Sequence, residues 1–402
     1  MIILTPTLKA AHVVATEAGA QAHSAAWLAR QYGYAWDNNR CWTRNRSVPS
    51  ADAQLGRGDL VLIDEAGMLD QDTAHALILI ADETGALLAL VGGRHQLPAV
   101  GRGGVLDLAA RWVAPDASVS LDNVHRFADP GYAKLSLAMR SGQYPEGVFD
   151  LLVQRGQIVL HPDEASRTAV LADDAAATGA LVVADTREQV ADLNQAIRER
   201  HVTAGHVDDS RVLVTNGGER LGVGDRIATR RNDYELGVAN RDIWTVTGLA
   251  EDGTMHLVGE AGTREVPYRY AICDVELVYA STVYGAQGQT TWTAHLVLGE
   301  HTGAASAYVA MTRGRDTNTA HLVAEDLDDA RQQWALVFSR DRADLGPAHA
   351  AGFAADEAAK YEPYNHRRQP DRRKDPVPLS RRHREPPPSY SRPSAGGPGI
   401  GF

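Results

Sequence analysis

Two acidic side chains stand together at the end of an apolar run. In VLIDEAGMLD, residues 61–70, Asp64 and Glu65 follow Leu60–Ile63 directly. A run without polar alternation suits a parallel strand buried on both faces. Carboxylates at the carboxyl end of such a strand can hold Mg²⁺, Asp64 through water, while Glu65 polarises an attacking water. The same pair could instead cap the following helix, and both readings stand at this point. A second apolar run ends in VGGRHQLPAVGRGG, residues 91–104. There Gln96, on a glycine-rich loop, could sense a γ-phosphate by hydrogen bonding, or the segment could be an ordinary turn.

The elements around these residues read as strand, helix, strand. Ile2–Thr5 is a short β-branched strand stopped by Pro6, with a helix through Val13–Ala20. Residues 71–83 suit a helix and 86–91 another buried strand, which argues for an α/β sheet with right-handed crossovers. A second α/β segment begins near residue 150, with a strand at Ala180–Ala184 and a helix from Thr186 to about Arg200. RVLVT, DRIATR, DIWTVTG and TMHLVG then alternate between turns over residues 211–272, a small-barrel pattern. The α/β pattern resumes with Val275–Ala280, His295–Leu298 and Thr319–Val323, and residues 325–360 read as helical.

Composition narrows the classes. The chain has 402 residues, 44% hydrophobic and 23% charged, with a formal charge of −11, values of a globular protein with a large core. Residues 365–402 hold nine basic and three acidic residues and eight of the eighteen prolines; such a tail buries too little to offset its ordering entropy and is expected to be disordered. Two cysteines, Cys41 and Cys273, are too few for a disulfide framework or a structural zinc site. No apolar run suits a membrane span, and MIILTPTLKAA is not a signal peptide. A cytoplasmic protein with no membrane partner is expected.

Taken in order, the motifs resemble the RecD type of superfamily 1 DNA helicase. Within it they are closest to the helicase portion of large conjugative relaxases of the TraA/TrwC (MobF) kind from high-GC bacteria. LTPTLKAA (4–11) and QAHSAAWL (21–28) look like DNA-contacting motifs. IDEAGML (63–69) resembles the Walker B motif, GGRHQLPAVG (92–101) the glutamine motif, and VHRF (124–127) the motif whose arginine reaches the γ-phosphate. ADTREQVADLN (184–194) looks like the start of a second motor domain. YASTVYGAQGQT (279–290) is similar to the motif linking DNA to nucleotide, and AYVAMTRGRD (307–316) to the arginine-finger motif. The resemblance covers roughly residues 1–345.

That resemblance implies two RecA-like P-loop NTPase lobes, at 1–148 and 149–345, with an SH3-like β-barrel insert at 211–272 in the second. A helical extension at 346–364 and a disordered tail at 365–402 complete the expectation. It implies ATP and Mg²⁺ as cofactors, with Asp64 as metal ligand, and Asp64, Glu65, Gln96, Arg126 and Arg313 as catalytic residues. Gln287, Gly288 and Arg313 would bind nucleotide. Thr5, Thr7, His23, Ser24, Thr282 and Tyr284 would bind single-stranded DNA, with Tyr284, Trp244 and His23 as stacking candidates.

Three features depart from the family. The four lysines, Lys9, Lys134, Lys360 and Lys374, do not follow a glycine, so no GxxxxGK[ST] loop is present. The first lobe is therefore expected to lack its opening strand and helix, and the missing relaxase or P-loop part, or other conjugation proteins, are candidate partners. Gly92-Gly93 stands where the family usually has Gly-Asp. Tyr284-Gly285-Ala286 stands where the family usually has His and a small or basic residue. The reading is an ATP-dependent 5′–3′ DNA helicase module of a conjugative relaxase, inactive as an isolated chain. The alternatives are a non-catalytic single-stranded-DNA-binding accessory fragment or a pseudogene remnant.

Overall fold

The computed structural model describes residues 1–36, 42–99, 102–121, 126–233 and 235–340. The expected helical extension at 346–364 and the basic tail lie outside the described residues, as do Val124 and His125 of the VHRF motif.

The first unit is built on β1 (Ile2–Thr5), α1 (Leu8–Ala18), β2 (Ala22–Ser24), α2 (Ala25–Gln31), the hairpin β3 (Tyr34–Trp36) and β4 (Trp42–Arg44), β5 (Leu60–Ile63), α3 (Gln71–Thr84), β6 (Leu87–Leu90) and α4 (Val105–Trp112). Its parallel sheet has the order β2-β1-β5-β6. Leu4, Leu28, Ile63, Leu77 and Ile80 fill the core between sheet and helices. The expected helix at Val13–Ala20 starts earlier, because the Thr7 hydroxyl accepts from Ala10 N at 3.2 Å and caps α1; Gly19 in the left-handed region ends it. QAHS, quoted above only as a motif, supplies β2.

Helices α5 (Pro130–Ser141) and α6 (Pro145–Gln154) lead into the second unit. There β7 (Ile158–His161), α7 (Glu164–Thr178), β8 (Leu181–Ala184) and α8 (Arg187–Thr203) precede an antiparallel segment. That segment comprises β9 (Asp208–Val214), β10 (Arg220–Val223), β11 (Arg226–Thr229), β12 (Ile243–Leu249), β13 (Met255–Gly259), β14 (Gly262–Val266), α9 (Tyr268–Asp274) and β15 (Val275–Leu277). The chain returns through β16 (Ala280–Thr282), α10 (Val283–Ala286), β17 (Thr291–Val297), α11 (Ala304–Ala310), β18 (Gly314–Val323) and α12 (Leu327–Ser339). The second parallel sheet has the order β16-β8-β17-β18-β7, and it is not continuous with the first. α8 opens with a capping box, Thr186 and Gln189 bonding each other's backbone N–H groups.

Between residues 208 and 277 a β9–β10 hairpin accompanies a five-stranded antiparallel sheet of order β14-β13-β12-β11-β15 around Trp244, Val246, Leu257 and Tyr270. This differs from the sequence reading in two places. Residues 268–274 form a helix, and the run Val275–Ala280 is not one strand. Its first half pairs with β11 and its second with β8, so one apolar stretch passes from the antiparallel sheet to the parallel one. No helix among the described residues is long and apolar enough to cross a membrane.

Candidate functional site

The acidic pair sits where β5 emerges from its neighbours. Asp64 N–H donates to Leu4 O and Ala66 N–H to Val91 O, both at 2.8 Å, which pins the turn between β1 and β6. Glu65 takes a left-handed conformation, φ 51°, ψ 36°. For a residue with a side chain this costs of order 1–3 kcal/mol and is held by its surroundings. Those surroundings include Gly92, where a Cβ would lie 2.9 Å from Ala66 N, and Gly67, where one would lie 2.9 Å from Gly93 O. A Cβ on Gly93 would press on the Gln96 side chain at 2.9 Å, so the Gln96 amide folds over the position where the family usually carries an acid. Leu97, next in the chain, is buried in the core of the second unit.

Arg313 reaches the same place from the second unit. It ends the turn after α11 and is buried, donating from Nε to Val309 O (2.9 Å), from Nη1 to Gln289 O (3.2 Å) and from Nη2 to Thr312 Oγ1 (3.3 Å). Three of its five N–H groups are thus used and one remains on each Nη nitrogen. Arg126 donates from Nη1 to Thr312 O at 2.8 Å. Its position follows from packing: Phe127 meets Tyr132 edge to face at 4.9 Å, and the Tyr132 hydroxyl donates to Met311 O at 2.6 Å. Both arginines therefore hang from one turn, Met311–Arg313.

Charges across the two units feel one another. Burial pushes the Glu65 carboxyl up from its ordinary value and Asp64 adds to this, while Arg313, Arg126 and the Gln287 amide oppose it. Burial pushes Arg313 down to about 9, with Arg126 adding and Glu65 opposing. Gln287 is close enough to favour the Glu65 carboxylate, yet both its amide N and its amide O are shut from solvent without a hydrogen-bond partner. A buried amide whose nearest partner, Glu65, makes no hydrogen bond of good geometry with it is costly unless something completes its bonding. Two carboxylates, one amide and two guanidinium groups thus lie close enough to influence one another.

The other expected residues are placed differently. Thr7, Ser24 and Thr282 are the N-caps of α1, α2 and α10, with their hydroxyls engaged by Ala10, Trp27 and Gly285 N–H groups. Thr5 is fully buried and its hydroxyl donates to Thr7 O at 2.7 Å, so it shapes the turn and is not available to a DNA strand. Trp244, offered as a stacking residue, is 1% exposed and fills the core of the antiparallel sheet. His23 lies stacked on Trp27 with ring centres 3.8 Å apart. Tyr284 is 37% exposed, and Gly288, at φ 77°, is exposed beside Gln287. The sequence reading missed Trp292, 68% exposed at the start of β17 with the Arg315 guanidinium 6.0 Å over its ring. A tryptophan inside the polar stretch TTWT was the available signal.

Comparison with known proteins agrees with this architecture. Residues 1–163 match the family described as AAA domain. A Pif1 helicase from Bacteroides, in complex with ADP-AlF3 and ssDNA, superposes with a TM-score of 0.53 at 15% identity, covering 90% of this chain and 88% of the other. Bacteroides Pif1 bound to ssDNA gives 0.51 at 13% identity, covering 90% and 94%. The chain has the fold of the Pif1 helicases. Its mixed α/β structure with parallel sheets resembles their RecA-like architecture. Conjugal transfer protein TraA of Rhizobium radiobacter is 27% identical over 77% of this chain and 27% of its own length. Multifunctional conjugation protein TraI of Escherichia coli is 34% identical over 23% of this chain and 6% of its own. The chain spans about a quarter of the length of the TraA proteins it matches.

Proposed function

We propose that the chain is the motor portion of an ATP-dependent superfamily 1 helicase of the RecD-like, conjugative relaxase (MobF) kind, acting on single-stranded DNA with 5′–3′ polarity. One observation carries this reading: Glu65 on the first unit lies within electrostatic reach of Gln287, Arg126 and Arg313 around the second. The fold shared with Pif1 helicases, the AAA domain match and the similarity to TraA support it. We place the SH3-like insert at residues 211–272 and lobe boundaries near 148 and 345 within the same reading.

Each residue then has a role fixed by its chemistry. Asp64 and Glu65 offer oxygen donors that fit a magnesium ion held largely through water. Such an ion would neutralise phosphate charge. The Glu65 carboxylate would orient and deprotonate water. The Gln287 amide, with its buried and unpartnered N and O, fits a phosphate oxygen on one side and Glu65 on the other. Arg313 and Arg126, both anchored at the Met311–Arg313 turn, would report a γ-phosphate to the second unit, so that closing the cleft depends on nucleotide.

A non-catalytic, DNA-binding reading is favoured by one feature: the 402 residues contain no GxxxxGK[ST] loop. Loop amides and a lysine supply most of the phosphate cradle in such motors. The purified 402-residue protein is therefore expected to bind ATP weakly and to hydrolyse it at background, with or without single-stranded DNA. Titration with a fluorescent ATP analogue and a phosphate-release assay check this. DNA-stimulated hydrolysis abolished by Glu65→Gln would refute the non-catalytic reading and support a complete motor. Failure of the protein to bind single-stranded oligonucleotide at low salt would refute both.

A further inference from the structure

The turn Ala239-Asn240-Arg241-Asp242, between β11 and β12, contains a residue that its backbone disfavours. Arg241 sits at φ 73°, its N–H donating to Thr229 O at 2.6 Å, while Asp242 N–H donates to Ala239 O at 3.2 Å. A third turn position with positive φ calls for glycine or asparagine. Arginine there costs roughly 1 kcal/mol or more of backbone strain, so its side chain must be what the site needs.

That side chain lies over Gly285, in the motif YASTVYGAQGQT. A Cβ on Gly285 would overlap the Arg241 guanidinium and the Ser281 hydroxyl, so glycine at 285 is what admits the arginine. Among the described residues no hydrogen bond or ion pair engages this guanidinium. It is half-buried, and burial together with Arg230 and Arg187 pushes its pKa down, against the pull of Glu276. Glu276 is already paired with Arg230 at 2.7 Å. Lys9, one turn into the first unit, is the second unpaired cation here; burial and Arg241 lower its pKa against Asp242 and Glu260. Asp242 is itself engaged, accepting from Ala239 N–H at 2.7 Å.

Two partly desolvated cations without a salt bridge of their own are favourable around an anion, although Asp242 and Glu260 draw on Lys9 and Glu276 on Arg241. They come from two places in the chain, the start of α1 and the β11–β12 turn, and the short helix α10 receives the arginine. We propose that Arg241 and Lys9 clamp one backbone phosphate of single-stranded DNA, with Arg241 supplying from the antiparallel segment the positive charge that the Tyr284-Gly285-Ala286 stretch does not carry. The clamp rests on the DNA-binding reading above and names a phosphate-positioning site for it. It is spatially set by Gly285, two residues before Gln287, and so ties DNA grip to the nucleotide cleft.

The test uses the full 402-residue chain and a fluorescein-labelled dT16 oligonucleotide titrated at several salt concentrations. Arg241→Gly removes the guanidinium and relieves the strained turn, so thermal stability is expected to stay equal or rise. Affinity at low salt is expected to fall roughly 5- to 10-fold, and the slope of log K against log[salt] to shrink by about 0.7, the value for one lost phosphate contact on a single strand. Lys9→Ala is expected to weaken binding and to be non-additive with Arg241→Gly. Arg241→Lys, which keeps a cation at the same turn, is expected to retain most of the slope.

Wild-type affinity and slope retained in Arg241→Gly would overturn the clamp while leaving the DNA-binding reading intact. Absence of binding by the wild-type chain would overturn both. A parallel titration with a fluorescent ADP analogue separates the two phosphate sources. Weakened nucleotide binding with unchanged DNA binding would assign the cations to nucleotide and refute the clamp; unchanged nucleotide binding is the expected result.

Discussion

Arg198→Ala is expected to destabilise the protein by about 3–5 kcal/mol, the cost of leaving one partner of a buried ion pair unmatched. Arg198, on α8, is buried and donates from Nε to Asp225 Oδ2 at 2.8 Å; its Nη2 lies 2.8 Å from Asp209 Oδ1. Asp225 is fully buried and also accepts from the Tyr279 hydroxyl at 2.8 Å and from Gly222 N–H at 2.6 Å. With the guanidinium gone, two neutral donors remain for a carboxylate that water cannot reach. The network ties α8 to the antiparallel segment, beside the bond from Asn194 Nδ2 to Leu277 O, since Asp209 and Asp225 belong to the segment and Tyr279 lies between β15 and β16. Against a total stability of about 5–15 kcal/mol for a domain, the loss is large. Urea unfolding of Arg198→Ala, Asp225→Ala and the double variant Arg198→Met/Asp225→Leu measures it. The double variant is expected to lose less than either single one. A loss below 1 kcal/mol for Arg198→Ala would show that the pair does not hold the segment to the helix.

A row of three buried histidines is expected to contribute a loss of stability between pH 7 and pH 5, against an opposing gain from Glu219, whose carboxyl is pushed up to about 7 by burial. His161 on β7, His321 on β18 and His295 on β17 lie across adjacent strands, linked ring to ring at 3.0 Å and 3.0 Å, and His295 Nε2 lies 2.7 Å from Asp174 Oδ2 on α7. The carboxylate requires a proton on His295 Nε2. Nδ1 of that ring must then accept from His321 Nε2–H, and His321 Nδ1 from His161 Nε2–H, so one all-neutral tautomer array satisfies every link. A further proton would break a link and place charge in the core. Burial, then His295, His161 and Arg167, push His321 down to about 3; burial also lowers His161 and His295, with Asp174 opposing at His295.

At these histidines the folded state therefore binds fewer protons than the unfolded one below the unfolded value of 6.5, and the stability they contribute falls as pH drops through that value. From pH 6.5 to pH 5 His321 alone accounts for about 2 kcal/mol, and the other two histidines add in the same direction. Thermal unfolding at pH 8, 7, 6 and 5 is expected to show acid lowering Tm more, relative to pH 8, in the wild type than in His321→Gln. An unchanged slope in the variant would remove the histidine row as a contributor.

The candidate residues were legible along the chain because they lie in short, contiguous patterns. The apolar run to Asp64-Glu65, the Gln96 loop and the MTRGR turn are local signals, and each sits at a strand end or turn in the structure. Helix boundaries were legible where a cap is local, as at Thr186 with Gln189. They were missed where hydrophobic spacing alone was used, as at α1. Exposure was not legible: Thr5 and Trp244 are residue types that contact DNA, but both are buried here. Whether a threonine or tryptophan faces solvent depends on what packs over it, which no spacing encodes.

By itself, then, the sequence determined the strand–helix alternation, the antiparallel segment that interrupts it and the identity of the acidic, amide and arginine groups. Tertiary structure alone decided which of them meet. Glu65 and Arg313 are far apart in the chain, beside strands of two separate parallel sheets, and come within electrostatic reach only through packing. Arg241 stands in an unremarkable turn by sequence, and only its left-handed backbone and its fit over Gly285 single it out. The three histidines form a row because β7, β18 and β17 are neighbours in the sheet though not in order along the chain. Periodicity reports which face of an element is apolar; charge pairing and desolvation act through space, and so arise only when elements distant in sequence are packed together.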